Sequence, residues 1–201
     1  MNELLLATDN QGKVREYSLL LEGLPFTLVT PDKRGGKVVI NESDTTLEDN
    51  AALKARTYAQ ASNLLTLADD SGLEVDALAG EPGPLSARYA GEGASDRERV
   101  EFLLNKLSTA PWEKRGARFR CVIAIATPEG KLELCHGECE GIIAFQPKGE
   151  NGFGYDPIFY LPELDKTMAE LPLAHKNKIS HRGKAAQKAR QILNQLSGGQ
   201  N

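Results

Sequence analysis

The sequence is sparing with the features that mark membrane, secreted or polyanion-binding proteins. No run approaches the ~20 consecutive apolar residues of a membrane span, although 40% of the 201 residues are hydrophobic. Met1-Asn2-Glu3 lacks the basic start of a secretory signal. Both absences predict a cytoplasmic protein. Basic residues are not in excess, since 24 Lys and Arg against 28 Asp and Glu leave a formal net charge of -4. A general nucleic-acid binder needs a basic surface to replace phosphate counterions. Any phosphate chemistry here therefore rests on a local cluster of cations.

Cysteine is also scarce, with three in the chain. Cys121 lies in an alternating, strand-like run, and Cys135 and Cys139 flank a predicted turn, which reads as reduced structural thiols. His136 beside Cys135 raises the question of a Cys/His metal site. A closed structural zinc site usually draws four ligands from two separated pairs, and the sequence has no second pair.

The length and the 26% of charged residues suit one compact domain with a real core. It is expected over 1–196, followed by a frayed polar tail at 197–201. Leu4 to Ala7 reads as a strand. After the polar turn Thr8-Asp9-Asn10-Gln11-Gly12-Lys13, the spacing of Val14, Tyr17, Leu20, Leu21 and Leu24 predicts a helix. A strand at Phe26 to Val29 and a short β-branched one at Val38-Val39-Ile40 follow. Thr46 with Asp49 starts the next helix, which carries Leu47, Ala51, Ala55 and Tyr58 and ends near Asn63.

Leu64 to Ala68 is a buried strand running straight into Asp69-Asp70-Ser71-Gly72, so the two carboxylates stand at its carboxyl end. Ser95 with Glu98 opens a helix bearing Val100, Leu103, Leu104 and Leu107. Three strands are expected at Phe119 to Ala126, Lys131 to Cys135 and Gly141 to Phe145, and a last helix from near Lys184. Helices alternating with strands early, and hairpins in the middle, predict an α/β fold on a mixed sheet. Ligands in such folds sit at strand ends, beside polar turns.

Five segments could carry chemistry. Thr8 to Lys13 joins a strand to a helix N-terminus, where free N–H groups and a partial positive charge favour phosphate, and Lys13 adds a full charge. The spacing is not that of a Walker A loop. Asp69 and Asp70 follow an apolar strand; neighbours on a strand face opposite ways, so one could bind metal while the other holds the loop. Asn41-Glu42-Ser43-Asp44 offers oxygen donors suited to Mg²⁺. Gly149 to Pro157 combines glycines, which allow close backbone approach, with Phe153 and Tyr155, whose rings can stack on a base. Lys176, Lys178, His181 and Arg182 gather cations suited to phosphate oxygens. The bland alternatives are a capped helix, polar turns, aromatic packing and a solvated basic turn.

Six stretches, in order from Leu4 to about Leu196, resemble the inosine triphosphate pyrophosphatase family. They are Thr8-x-Asn10-x-x-Lys13, Glu48-Asp49-Asn50-Ala51-x-x-Lys54-Ala55, Ala68-Asp69-Asp70-Ser71-Gly72-Leu73, Ser86-Ala87-Arg88-Tyr89, Gly152-Phe153-Gly154-Tyr155-Asp156-Pro157 and Ser180-His181-Arg182-Gly183. The resemblance implies a homodimer of two-lobed subunits on a long mixed sheet flanked by helices, with the substrate in a cleft between lobes. It also implies Mg²⁺-dependent hydrolysis of ITP, dITP and XTP to nucleoside monophosphate and pyrophosphate, which removes damaged nucleotides from the precursor pool.

By position, the resemblance gives Thr8, Asp9, Asn10, Gln11, Gly12 and Lys13 to the phosphates. Asp70 becomes general base and metal ligand, and Ser71 contacts substrate. Phe153, Gly154, Tyr155 and Asp156 take the base and sugar, and Lys176, His181 and Arg182 complete the nucleotide site. Two residues depart from the family pattern. Asp9 brings a negative charge to the phosphate turn, and only Glu42 of the acidic loop aligns with the expected second metal ligand. The competing readings are a Maf-like pyrophosphatase acting on other modified or pyrimidine nucleotides, and a non-catalytic nucleotide sensor.

Overall fold

The computed structural model describes residues 2–33, 38, 40 and 46–198. β1 (Asn2–Leu6) carries Leu4, Leu5 and Leu6, all buried, as a strand covered on both faces must. It runs parallel to β2 (Phe26–Val29) on one side and to β3 (Leu65–Val75) on the other, with Leu4 opposite Leu28 and Leu65. The intervening helices are α1 (Gln11–Leu20) and α2 (Leu47–Ser62). Asn10 caps α1 by accepting from the Lys13 N–H. Thr46 caps α2 through the Asp49 N–H, and Asn63, in the left-handed conformation, ends it.

β4 (Pro82–Gly83) pairs antiparallel with β3. α3 (Asp96–Lys106) opens on the expected Ser95/Glu98 capping box. Then come β5 (Gly116–Ala126), β6 (Leu132–Ile143), β7 (Phe159–Leu161), β8 (Lys166–Thr167), α4 (Leu173–Ile179) and α5 (His181–Gly198). The strand order is β2-β1-β3-β5-β6-β7-β8, with β4 off this path on β3. Parallel pairs around β1 and antiparallel pairs at β3/β4, β6/β7 and β7/β8 make the sheet mixed, as expected.

The chain divides into two compact units, Met1–Asp70 with Cys121–Gly137 and Arg182–Asn201, and Ser71–Arg120 with Glu138–His181. In the first, the strands bury both faces. Leu4, Leu6, Leu67, Ile123 and Ile125 pack with Tyr17 of α1 and with Ala185, Ala186, Ala189 and Leu193 of α5. Leu5, Ala7, Ala68, Val122 and Ala124 pack with Ala51, Ala55 and Tyr58 of α2. In the second unit, Leu73, Val75, Phe119, Ile143 and Phe159 share a core with Val100, Leu103 and Leu107 of α3.

The structure corrects several expectations. The strand expected to end at Ala68 runs on through Asp69 to Gly72 as far as Val75, held by β4 through the Leu73–Gly83 and Glu74–Pro82 pairs. The two strands expected on either side of residue 137 are one strand, β6, so Cys135 and Cys139 lie on one strand and flank no turn. All three cysteines are buried, and burial pushes the Cys121 thiol up to about 12 and Cys135 up to about 11. α5 starts at His181, three residues before Lys184, and runs through Gly198 into the expected tail. Of the expected strand at 38–40, Val38 and Ile40 lie in no regular element. Val39, Glu42 with its acidic loop, and the last three residues lie outside the described residues.

Gly72 shows why the long β3 is tolerated. A Cβ built there would press on the backbone of Gly83 more closely than real Cβ contacts allow. Neither partner is a flexible side chain that could yield. Gly72→Ala is therefore expected to destabilise the protein by ~1–3 kcal/mol, the usual cost of overpacking. A urea midpoint equal to that of the wild type would refute this account of the β3/β4 contact.

Candidate active site

The Thr8–Lys13 turn follows β1 and is closed by its own side chains. The Asn10 N–H donates to Thr8 Oγ1 at 3.2 Å, and Asn10 Oδ1 accepts from the Lys13 N–H at 3.1 Å. Asp9, Asn10 and Gln11 are exposed, so a ligand can reach the start of α1. Lys13, in the first turn of α1, reaches back to β3. Its Nζ lies 2.9 Å from Asp69 Oδ1 and 3.3 Å from the Asp69 carbonyl oxygen.

Period-two alternation along β3 sends Asp69 and Asp70 to opposite faces. Asp69 shares the face of Leu67, toward α1 and α5, and its side chain is wholly buried. Arg182 Nε donates to Asp69 Oδ2 at 3.2 Å, and Arg182 Nη1 donates to Glu16 Oε2 at 2.7 Å. Burial by itself would raise the Asp69 carboxyl, but Lys13 and Arg182 outweigh it and hold the group well below the usual carboxylate range. Such a group is a poor proton acceptor.

Asp70 shares the face of Ala68, toward α2. Asn50 Nδ2 donates to Asp70 Oδ2 at 3.1 Å, while Lys54 Nζ stays 3.7 Å from Oδ1, beyond hydrogen-bond distance. Burial is the largest influence and raises the Asp70 carboxyl above its ordinary value, although Lys54 and Lys13 pull it down. Its side chain keeps 11% of its exposure. Of the two carboxylates, Asp70 is the more basic and the more accessible.

The oxygen chemistry here fits a hard cation. Asp70 offers a carboxylate, and Asn50 Oδ1 is buried without a hydrogen-bond partner. Among the described residues, no group of three or more His, Cys, Asp or Glu converges on a point. The expected second ligand, Glu42, lies outside the described residues.

In the second unit, the loop before β7 is held from inside. Asp156 accepts from the Phe153 N–H at 2.9 Å and pairs with the buried Lys176 ammonium. Lys176 also sits 4.9 Å from the centre of the Phe153 ring. The Gly154 N–H donates to Asp96 Oδ2 at 2.7 Å. Tyr155 is core, with its hydroxyl donating to the Ser86 carbonyl at 2.9 Å. His181 is stacked on Phe119 with ring centres 4.7 Å apart. Ser71 is half-buried on β3.

The basic segment is thus no solvated turn. Lys176 is on α4, and His181 and Arg182 open α5, all three buried. Sequence reasoning assigned no role to Asn50, Lys54, Glu16 or Asp96. The i,i+4 spacing of Asn50 and Lys54, which places both on one face of α2, was the available signal.

A mixed-sheet α/β protein with a capped phosphate-suited turn, a lysine behind it and two differently held carboxylates is built as a phosphate-handling enzyme. Comparison with known proteins gives the family. The Ham1 family profile matches residues 4–192, and the chain belongs to that family. The chain is 50% identical over 194 residues to a dITP/XTP pyrophosphatase of Desulforamulus reducens, covering 96% of each. It is 45% identical to a dITP/XTP pyrophosphatase of Bacillus subtilis, covering 96% of this chain and 98% of the relative. Its fold superposes on a HAM1 protein from Coxiella burnetii with a TM-score of 0.88 at 42% identity, over 97% of this chain and all of the other.

Proposed function

We propose that the protein hydrolyses dITP, ITP and XTP to the nucleoside monophosphate and pyrophosphate, with Mg²⁺. The observation that carries this reading is the split between the two carboxylates of β3. Asp69 is sealed and neutralised by Lys13 and Arg182, whereas Asp70 keeps 11% of its side-chain exposure, accepts one amide hydrogen bond and has Lys54 at 3.7 Å. The names of the relatives supply the substrate class.

In this reading the exposed N-terminus of α1 and the Lys13 ammonium offset phosphate charge, which grows on the leaving pyrophosphate. Asp70 orders water for attack on the α-phosphorus and receives its proton. The P–O bond to the β-phosphate breaks as the new one forms. Asp70 and Glu42 would hold Mg²⁺, which would supply positive charge to the phosphate oxygens. Because a metal ligand has little spare basicity, ordering the water is the larger part of the Asp70 role. Phe153, Gly154 and Asp156 take the base and sugar, with Tyr155 and Lys176 fixing the loop. His181 completes the set, Arg182 acts from behind it through its buried pairs with Glu16 and Asp69, and the protein works as a cytoplasmic homodimer.

Product analysis with dITP tests the reading. Monophosphate plus pyrophosphate is expected, and diphosphate plus phosphate would overturn the mechanism. Faster turnover of dUTP or dTTP than of dITP would move the substrate class to pyrimidines.

Phe153 is half-buried in the glycine-flanked loop and lies against the Lys176 ammonium. Phe153→Leu is expected to weaken all purine substrates together, by ~1–3 kcal/mol if the ring stacks on the base. KM values for dITP and XTP check this. A loss confined to one purine would mean that the loop reads base edges instead.

A further inference from the structure

We propose that Asp69 is the positioning residue for Lys13, the inner anchor of a buried chain of alternating charge that sets the lysine beside the phosphate turn. The chain runs Glu16, Arg182, Asp69, Lys13. Glu16 Oε2 accepts from Arg182 at 2.7 Å, Arg182 reaches Asp69 Oδ2 at 3.2 Å, and Asp69 Oδ1 lies 2.9 Å from Lys13 Nζ. Two negative and two positive groups cancel, as a buried ionic cluster requires. The inference rests on the phosphate role given above to Lys13.

Only the last member is open to solvent. The side chains of Glu16 and Arg182 are 2% exposed and that of Asp69 is 0%, whereas Lys13 keeps 13%. A lysine is a point charge on a flexible four-carbon stem, so its ammonium is placed only if something else fixes it. Asp69 fixes it twice, through a side-chain oxygen at 2.9 Å and its own carbonyl oxygen at 3.3 Å. The ammonium donates one hydrogen bond, to the Asp69 carbonyl oxygen, and is ion-paired with the Asp69 carboxylate, so of its three N–H donors there remains donor capacity for a phosphate oxygen.

The arrangement is reinforced from two elements. Lys13 and Glu16 are one turn apart on α1, and Arg182 stands in the first turn of α5. Asp69 thereby binds both helices to β3 on one face of the strand. That face is opposite the one bearing Asp70, so Asp69 serves the reaction without taking the role of Asp70. It acts through Lys13 and touches no reacting atom.

The test is a double-mutant cycle on dITP hydrolysis with Asp69→Asn and Lys13→Ala, together with pyrophosphate binding by the same four proteins. Lys13→Ala is expected to lower kcat/KM by ~10²-fold, in the range of removing one charge-stabilising donor. Asp69→Asn should approach that loss and weaken pyrophosphate binding. Once Lys13 is gone it should cost little more, because the residues act as a unit.

Losses that multiply in the double variant would overturn the inference alone and leave Lys13 as a phosphate ligand. Undiminished turnover in Lys13→Ala would overturn the inference together with the phosphate role of Lys13. If circular dichroism shows Asp69→Asn to be unfolded, the cycle is run with Glu16→Gln, which loosens Arg182 and keeps both contacts of Lys13. Non-additivity with Lys13→Ala is again expected, and strict multiplication of the two losses would refute the chain.

Discussion

Asp70→Asn is expected to leave a folded protein that hydrolyses dITP at least ~10²–10⁴-fold more slowly, the usual cost of losing a general base. Asparagine keeps the size of the side chain, and Asn50 Nδ2, now 3.1 Å from Asp70 Oδ2, can still donate to its oxygen. Lys54 loses a partner only at 3.7 Å, beyond hydrogen-bond distance, so the fold should lose little. What disappears is the negative charge that would accept a proton from water and hold a divalent cation. The measurement is kcat for dITP across a Mg²⁺ titration, with nucleotide binding and thermal unfolding followed separately. Near-normal turnover in a folded Asp70→Asn protein would place the chemistry on another group.

Arg182→Ala should do damage of a different kind, lowering stability by ~3–5 kcal/mol, the range for breaking a buried ion pair from one side. Arg182 is 1% exposed, and its removal leaves Glu16 and Asp69 buried without their shared cation. Desolvation disfavours the charged guanidinium, but Glu16 and Asp69 more than restore it, so Arg182 stays charged well beyond the ordinary arginine range. KM for dITP should also rise strongly, through loss of the setting of Asp69 and with it of Lys13. Denaturant midpoints and steady-state kinetics measure the two effects. Unchanged stability would show that the buried pairs carry no net weight. A fall in kcat at constant KM would confine Arg182 to the transition state.

Much of the scaffold was legible because its signals are local. Asn10, Thr46 and Ser95 cap α1, α2 and α3 through bonds spanning three residues, and the Ser95/Glu98 box closed as its spacing predicted. The site was harder to read where a local pattern pointed the wrong way. Asp69-Asp70-Ser71-Gly72 has the composition of a turn, yet β4, a two-residue strand ten positions on, keeps it extended. His136-Gly137 likewise suggests a break, yet β6 runs through it. Lys176, His181 and Arg182 read as one cation cluster for phosphate, and nothing local shows that Asp156, Phe119, Glu16 and Asp69 stand beside them.

The sequence by itself determined the α/β class, the mixed sheet and the phosphate-suited turn, because helix and strand periods and caps are written in residues a few places apart. It also determined that Asp69 and Asp70 face opposite ways, since a strand alternates whatever surrounds it. Only the tertiary structure decided which of the two is sealed and which is accessible. Asp69 meets Lys13 and Arg182 across 56 and 113 residues of chain, and Asp70 meets Asn50 across 20. Such separations leave no periodic trace, and the electrostatic identity of each carboxylate depends on the cations and amides that folding brings to it.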